Sequence, residues 1–182
     1  MSIAPAIDPA EAVKKAFSTA VLEVDYFRDE TTIVVDPAQL PAIIRYLRDT
    51  VGLIYNYLSD ISAVDYWDAQ GSHEDRLGRF AVNYHIYSLL YSRRLRVKVF
   101  LPEENPTVPT ITGVFPAANW LEREAFDMMG ITFSGHPNMK RILMPSDWDG
   151  HPHRRDYPLG YETIQFSFNI EEIMKHKPFA KE

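Results

Sequence analysis

Two runs of strict alternation constrain this chain more than anything else in it. Phe80, Val82, Tyr84 and Ile86 alternate with Ala81, Asn83 and His85, and Leu95, Val97, Val99 and Leu101 alternate with Arg94, Arg96, Lys98 and Phe100. Successive side chains on a strand point to opposite faces, so a period of two with charge on the second row predicts an antiparallel sheet covered on one side only. Tyr57, Ile61, Val64 and Tyr66 extend a less regular strand pattern between Tyr55 and Trp67.

Helices must supply the cover. Asp8-Pro9-Ala10-Glu11 and Asp36-Pro37-Ala38-Gln39 repeat one helix-start grammar, an Asp cap, a Pro at the first helical position and an acid or amide at the third. The first helix is expected to present Ala12, Val13, Ala16 and Phe17, and the second Leu40, Ile43, Ile44 and Leu47. Between them Val21 to Tyr26 and Thr31 to Val35 flank Arg28-Asp29-Glu30 as a hairpin. Asp68 to Gly78 has the composition of an exposed loop, and the prolines between Pro102 and Pro109 end the strand pattern.

The expected fold is α+β: a mostly antiparallel sheet covered by helices on one face (residues 1–101), a helical connector with a docking helix (102–130), and a long extended C-terminal arm (131–182). The docking helix is expected to be capped by Asn119, with Glu122 at its third position, and to stop at Gly130.

The full sequence of 182 residues contains no cysteine, which removes disulfides, thiolate-bound zinc, cysteine-held iron–sulfur clusters and cysteine nucleophiles. A net charge of −6 disfavours a nucleic-acid footprint. With no apolar leader and no long uncharged apolar run, the chain is expected to be soluble, unexported and without a membrane span of its own. No glycine-rich loop has dinucleotide or P-loop spacing, no serine has a nucleophile-elbow context, and HExxH is absent.

Two clusters remain. On the docking helix Arg123 and Asp127 stand four apart and can face each other, and with Glu122 and Glu124 they suit charged docking to a neighbouring chain as well as an ordinary solvated face. Glu122 and Asp127, five apart, point to different sides and make a poor acid–base pair. Further on, Trp148, Arg154, Arg155, Asp156 and Tyr157 combine guanidinium forks with aromatics, the composition of an interface hot spot. His136, His151 and His153 lie near Asp147 and Asp149, but Pro152 separates the last two histidines in a loop, so polar or interface roles are favoured over a metal site.

Glu122-Arg123-Glu124, Asp127-Met128-Met129-Gly130-Ile131, Gly135-His136-Pro137, Lys140-Arg141-Ile142-Leu143 and Asp156-Tyr157-Pro158-Leu159 together resemble the 30 kDa subunit of respiratory complex I, which is the C subunit of bacterial NADH–quinone oxidoreductase. The resemblance spans nearly the whole chain; at His153 the family carries an apolar residue instead. It implies a cofactor-free, non-catalytic subunit of the peripheral arm, on the cytoplasmic side of the cell membrane. Its implied neighbours are the large quinone-cavity subunit and the chain holding the terminal iron–sulfur cluster, with FMN and iron–sulfur clusters in other subunits. The expected partner-binding residues are Glu122, Arg123, Glu124, Asp127, His136, Lys140, Arg141, Trp148, Arg154, Arg155, Asp156 and Tyr157. Hydrogenase, formate-linked and plastoquinone-reducing complexes use similar chains, and a soluble adaptor or a histidine-dependent metal hydrolase are the competing functions.

Overall fold

In a computed structural model, residues 5–67 and 77–157 are described, so most of the expected loop from Asp68 to Gly78, and the arm beyond Tyr157, lie outside the described residues. Five strands form one sheet: β1 (Val21–Phe27), β2 (Glu30–Val35), β3 (Tyr57–Asp65), β4 (Phe80–Ser88) and β5 (Arg93–Leu101), in the order β1-β2-β5-β4-β3. The alternating rows of β4 and β5 meet in register, Val82 opposite Val99, Tyr84 opposite Val97 and Ile86 opposite Leu95, and all six are buried. Their second rows bring His85 opposite Arg96 and Asn83 opposite Lys98.

The mostly antiparallel sheet of an α+β fold is as expected, and three details differ. β2 pairs parallel with β5, and a parallel pair requires a crossover, here made by everything from Asp36 to Ser92. The second face is not bare along its length, since Ala81 and Asn83 are also buried. The irregular strand pattern near Tyr57 reflects a register shift between Leu58 and Asp60, which puts Leu58 and Ile61 in the core and leaves Tyr57 exposed.

β1 and β2 form the expected hairpin. Phe27 and Glu30 close a two-residue turn in which Arg28 (φ 50°) and Asp29 (φ 64°) are both left-handed, as the twist of a tight hairpin demands. Asp8 caps α1 (Pro9–Ala16) by accepting from the Ala10 amide at 2.8 Å. Asp36 accepts from Ala38 at 3.0 Å and caps a short 3-10 turn, Pro37–Gln39, that runs into α2 (Leu40–Asp49). α2 buries Leu40, Ile43, Ile44 and Leu47, each side chain contributing about 1.5–3 kcal/mol of burial as an upper bound. α1 is rotated from expectation: Ala10 and Val13 are buried while Ala16 is exposed, and Phe17 packs edge-on against Tyr46.

Beyond residue 101 the core continues. Two short strands without a usable sequence period, β6 (Thr107–Pro109) and β7 (Thr132–Ser134), pair in parallel and bury Val108 against Phe133. Between them α3 (Ala118–Met129) lies against β3, and Ala125, Met128 and Met129 join the cluster that holds Tyr84 and Ile61. Asn119 is not its cap. Ala117 precedes the helix, and backbone turns satisfy its first amides, Ala118 donating to Phe115 and Asn119 to Pro116, so no capping side chain is needed. Gly130 ends α3 in the left-handed conformation (φ 72°), donating to Phe126 at 2.9 Å, and a Cβ there would also collide with His151 and Arg154.

Candidate functional site

Asp127 organises the chain that follows α3. Its buried carboxylate accepts from Arg141 Nη1 at 2.8 Å and from the backbone amides of Ile142 (2.9 Å), Leu143 (2.8 Å) and Met144 (2.9 Å). Burial alone pushes its pKa up, but the three amides and the guanidinium together outweigh that and hold the group below its ordinary value. Arg141 also donates to the Gly150 carbonyl at 3.0 Å, and His151 Nδ1 meets the Asp127 carbonyl at 2.9 Å with its ring edge-on to Phe126. The segment 138–157 is therefore irregular but seated on α3.

Arg123 does not take Asp127. It donates to the carbonyls of Lys140 (2.9 Å) and Arg141 (3.2 Å), and its guanidinium lies 5.2 Å from the ring of Trp120. A buried carboxylate is better satisfied by three preformed amides and a guanidinium together than by one guanidinium alone, which explains the exchange.

Glu122, on the opposite side of α3, joins that helix to the segment after β6. It accepts from the Ile111 amide at 2.8 Å and from the Thr110 hydroxyl at 2.5 Å. Burial raises its pKa to about 7 against the pull of those two donors. His136 Nε2 lies 4.0 Å from the carboxylate and 3.2 Å from the Asn119 carbonyl. The Asn138 amide donates to Nδ1 at 3.0 Å, which leaves Nε2 to carry the proton toward Asn119.

The far end of the described arm is held by a centre not foreseen from sequence. Arg79, buried, donates twice to Asp65 (2.9 and 2.8 Å), to Glu103 at 2.6 Å, and pairs with Asp156 at 2.8 Å. Hydrogen bonding to Asp65 is the main cause of its raised pKa. Asp65 also accepts from the Arg155 amide at 2.9 Å, while Arg154 donates to the Met129 carbonyl at 2.8 Å and stacks 5.1 Å from Phe80. The available signal was topological: Asp65 and Phe80 are opposite in the β3–β4 register, so Arg79 stands at the neighbouring strand end.

The expected partner-binding residues therefore divide. Glu122 and Asp127 are fully buried and the His136 side chain is enclosed, so these three act inside the chain and not as surface contacts. Arg141, Arg154 and Asp156 tie the arm down, and Arg155 contributes its backbone while remaining exposed. Tyr157 donates to the Asp149 carbonyl at 3.3 Å, and Trp148 is half-buried. Glu124 and Lys140 face outward, alongside two residues sequence reasoning did not select for exposure, Trp120 (61 % exposed) and Leu143 (59 %). Among the described residues no three His, Asp or Glu side chains converge to hold a metal ion, and no helix is long and apolar enough to cross a membrane.

Residues 33–163 match the family model described as respiratory-chain NADH dehydrogenase, 30 Kd subunit. The C subunit of NADH-quinone oxidoreductase from Roseiflexus sp. (strain RS-1) is 45 % identical over 172 residues, 94 % of this chain and 95 % of that protein. Its counterpart from Herpetosiphon aurantiacus is 45 % identical over 150 residues, 82 % of this chain and 84 % of that one. Among solved structures, the trypsin-resistant fragment (1–134) of Nqo5 matches with TM-score 0.60 and 29 % identity, over 70 % of this chain and 96 % of that one. A chain of the membrane-bound sulfane sulfur reductase, an archaeal respiratory membrane complex, shares the fold over 94 % of this chain and 93 % of its own (TM-score 0.62, 20 % identity). By sequence and by fold, the chain belongs to the family of the 30 kDa subunit of respiratory-chain NADH dehydrogenase, the C subunit of NADH-quinone oxidoreductase.

Proposed function

We propose that this chain is a cofactor-free, non-catalytic subunit of the peripheral arm of a proton-pumping NADH–quinone oxidoreductase. It sits on the cytoplasmic side of the cell membrane and helps to hold the large quinone-cavity subunit and the terminal iron–sulfur subunit together. Residues 1–101 supply the α+β body, 102–130 the connector and docking helix, and 131–182 the partner-binding arm. FMN and the iron–sulfur clusters belong to other chains, in keeping with the absence of cysteine from all 182 residues.

The observation that carries this reading is the surface left when the buried charges have been assigned. Asp127, Arg141 and Arg123 bind the arm to α3 and thereby set Leu143 on the same unit as the Trp120–Arg123 stack. Trp120 and Leu143, both more than half exposed, are large apolar side chains, and Arg123 lies over the Trp120 ring, a pairing of aromatic and Arg that protein interfaces favour. Glu124, one turn from Trp120 on α3, and Lys140, whose carbonyl accepts from Arg123, are exposed and suit a role in register, not in bulk affinity.

Trp120→Ala combined with Leu143→Ser tests the reading. Neither residue is buried, so the isolated chain should melt within a few degrees of the parent, while co-purification of the other subunits from native membranes should fall by tenfold or more, because hot-spot truncations cost about 2 kcal/mol or more. Unchanged co-purification would remove this patch from the interface.

A further inference from the structure

Resting on the assembly just proposed, we infer a second docking surface, at the end of the sheet opposite the Arg79–Asp156 clamp: a cationic, aromatic cleft that takes a carboxylate-bearing loop of a neighbouring subunit. The register puts Asp65 and Phe80 at one end of β3 and β4, and Tyr57 and Tyr87 at the other. At this second end the β1–β2 and β4–β5 turns stand on either side of a cleft of about 840 Å³. Tyr55, Tyr57 and Tyr87 line it from within, with Arg28, Arg93 and Arg94 around it.

Charge sets the chemistry of the occupant. Three arginines share the cleft with Asp29 and Glu30, and Glu30 is already taken by Arg96 at 2.7 Å. Arg93 donates to the Ile7 carbonyl at 2.9 Å, which fixes its side chain at the cleft without neutralising it. Arg28 lies 5.0 Å from the ring of Phe27, and among the described residues neither Arg28 nor Arg94 forms a salt bridge with a carboxylate. A local cationic excess on a chain whose net charge is −6 is a departure from the rest of its surface, and it is complementary to an acidic partner segment. Guanidinium forks beside tyrosines bind carboxylates through paired hydrogen bonds while the rings supply contact area.

The apolar rim makes that partner a protein segment and not a small anion. Leu89 (60 % exposed) and Tyr57 (52 %) line the cleft, and Phe27 (63 %) and Leu90 are the exposed chain neighbours of its lining residues Arg28 and Leu89. A free anion would satisfy the arginines and leave this rim in water. The turn between Phe27 and Glu30 also uses Arg28 and Asp29 in left-handed conformations that Asn-Gly would adopt with less strain, and Ser92 (φ 52°) does the same in the other turn. Arg28 is thereby held at the rim by a fixed, two-residue turn.

The test uses the intact complex, purified from native membranes through an amino-terminal tag on this chain, carrying Arg28→Lys and Arg94→Lys. These substitutions keep the charge and provide amines. A water-soluble carbodiimide then joins an amine to a carboxylate in direct ion-pair contact, forming an amide and leaving as the urea, and mass spectrometry maps the linked residues. The expected result is an amide between either introduced amine and an Asp or Glu of a different subunit, suppressed at least fivefold when the coupling is run in 1 M salt. An intact complex in which the amines link only within this chain, to a second copy of it, or to nothing overturns this surface while leaving the assembly standing. A tagged chain that purifies alone overturns both.

Discussion

Asp127 reads the arm through Met144: the carboxylate of a helical residue accepts the backbone amide of a residue seventeen positions later at 2.9 Å, beside the amides of Ile142 and Leu143. One side chain thus replaces the secondary structure that residues 138–144 lack. Asp127→Ala would strand Arg141 and those amides together, at a cost of about 3–5 kcal/mol. Amide exchange at residues 142–144 should accelerate by at least a hundredfold, while exchange in β4 and β5 should follow only the loss of global stability. Exchange unchanged at 142–144 would show that the arm is held by other contacts.

Asp127 and Asp65 both have folded pKa values below the ordinary 3.8, so their contribution is present above that value and is lost as pH falls through the lower, folded values. Glu122 has the opposite sign. Its folded pKa is raised from 4.5 to about 7, so its contribution is complete below 4.5 and declines as pH rises through 7, by about 3 kcal/mol at most. Glu122→Gln keeps an acceptor for Ile111 and cannot ionise. Denaturant melts of the two proteins from pH 4.5 to 8.5 should therefore diverge, the variant becoming relatively more stable toward alkaline pH. Parallel curves would mean that Glu122 titrates as an ordinary surface carboxylate.

Arg79 binds three carboxylates, and two of them, Asp65 and Asp156, are separated by half of the chain. Arg79→Lys keeps the charge but not the fork that meets Asp65 twice. Trypsin should then cut after Arg154 or Arg155 several times faster in the variant, while the β-sheet core persists. Equal cutting rates would place the hold on this end of the arm in Arg154 and His151 instead.

How much of this was legible depended on how local the cause is. The pairing of Phe80–Ile86 with Leu95–Leu101 follows from a row of apolar residues on each, and Asp8 and Asp36 act through their own neighbours at 2.8 and 3.0 Å. The parallel meeting of β2 with β5 is set by non-local packing, and alternation carries no strand direction. β6 and β7 are too short to show a period. Glu122 and Asp127 look like solvated helix charges because the groups that bury them, Thr110, Ile111 and residues 141–144, lie 11 to 17 positions away. Asn119 failed as a cap for a local reason: the turns at Phe115 and Pro116, three residues back, start the helix earlier and already take its first amides.

Co-purification of the tagged full chain from native membranes, with optical and EPR spectra of both the assembly and the isolated chain, tests the central claim most directly. The assembly should carry iron–sulfur and flavin signals and oxidise NADH with quinone, whereas the isolated chain should show neither signal and no saturable NADH binding. A stoichiometric cluster or saturable NADH binding in the isolated chain, or a tagged chain that leaves the membrane with no cluster-bearing partner, would contradict it.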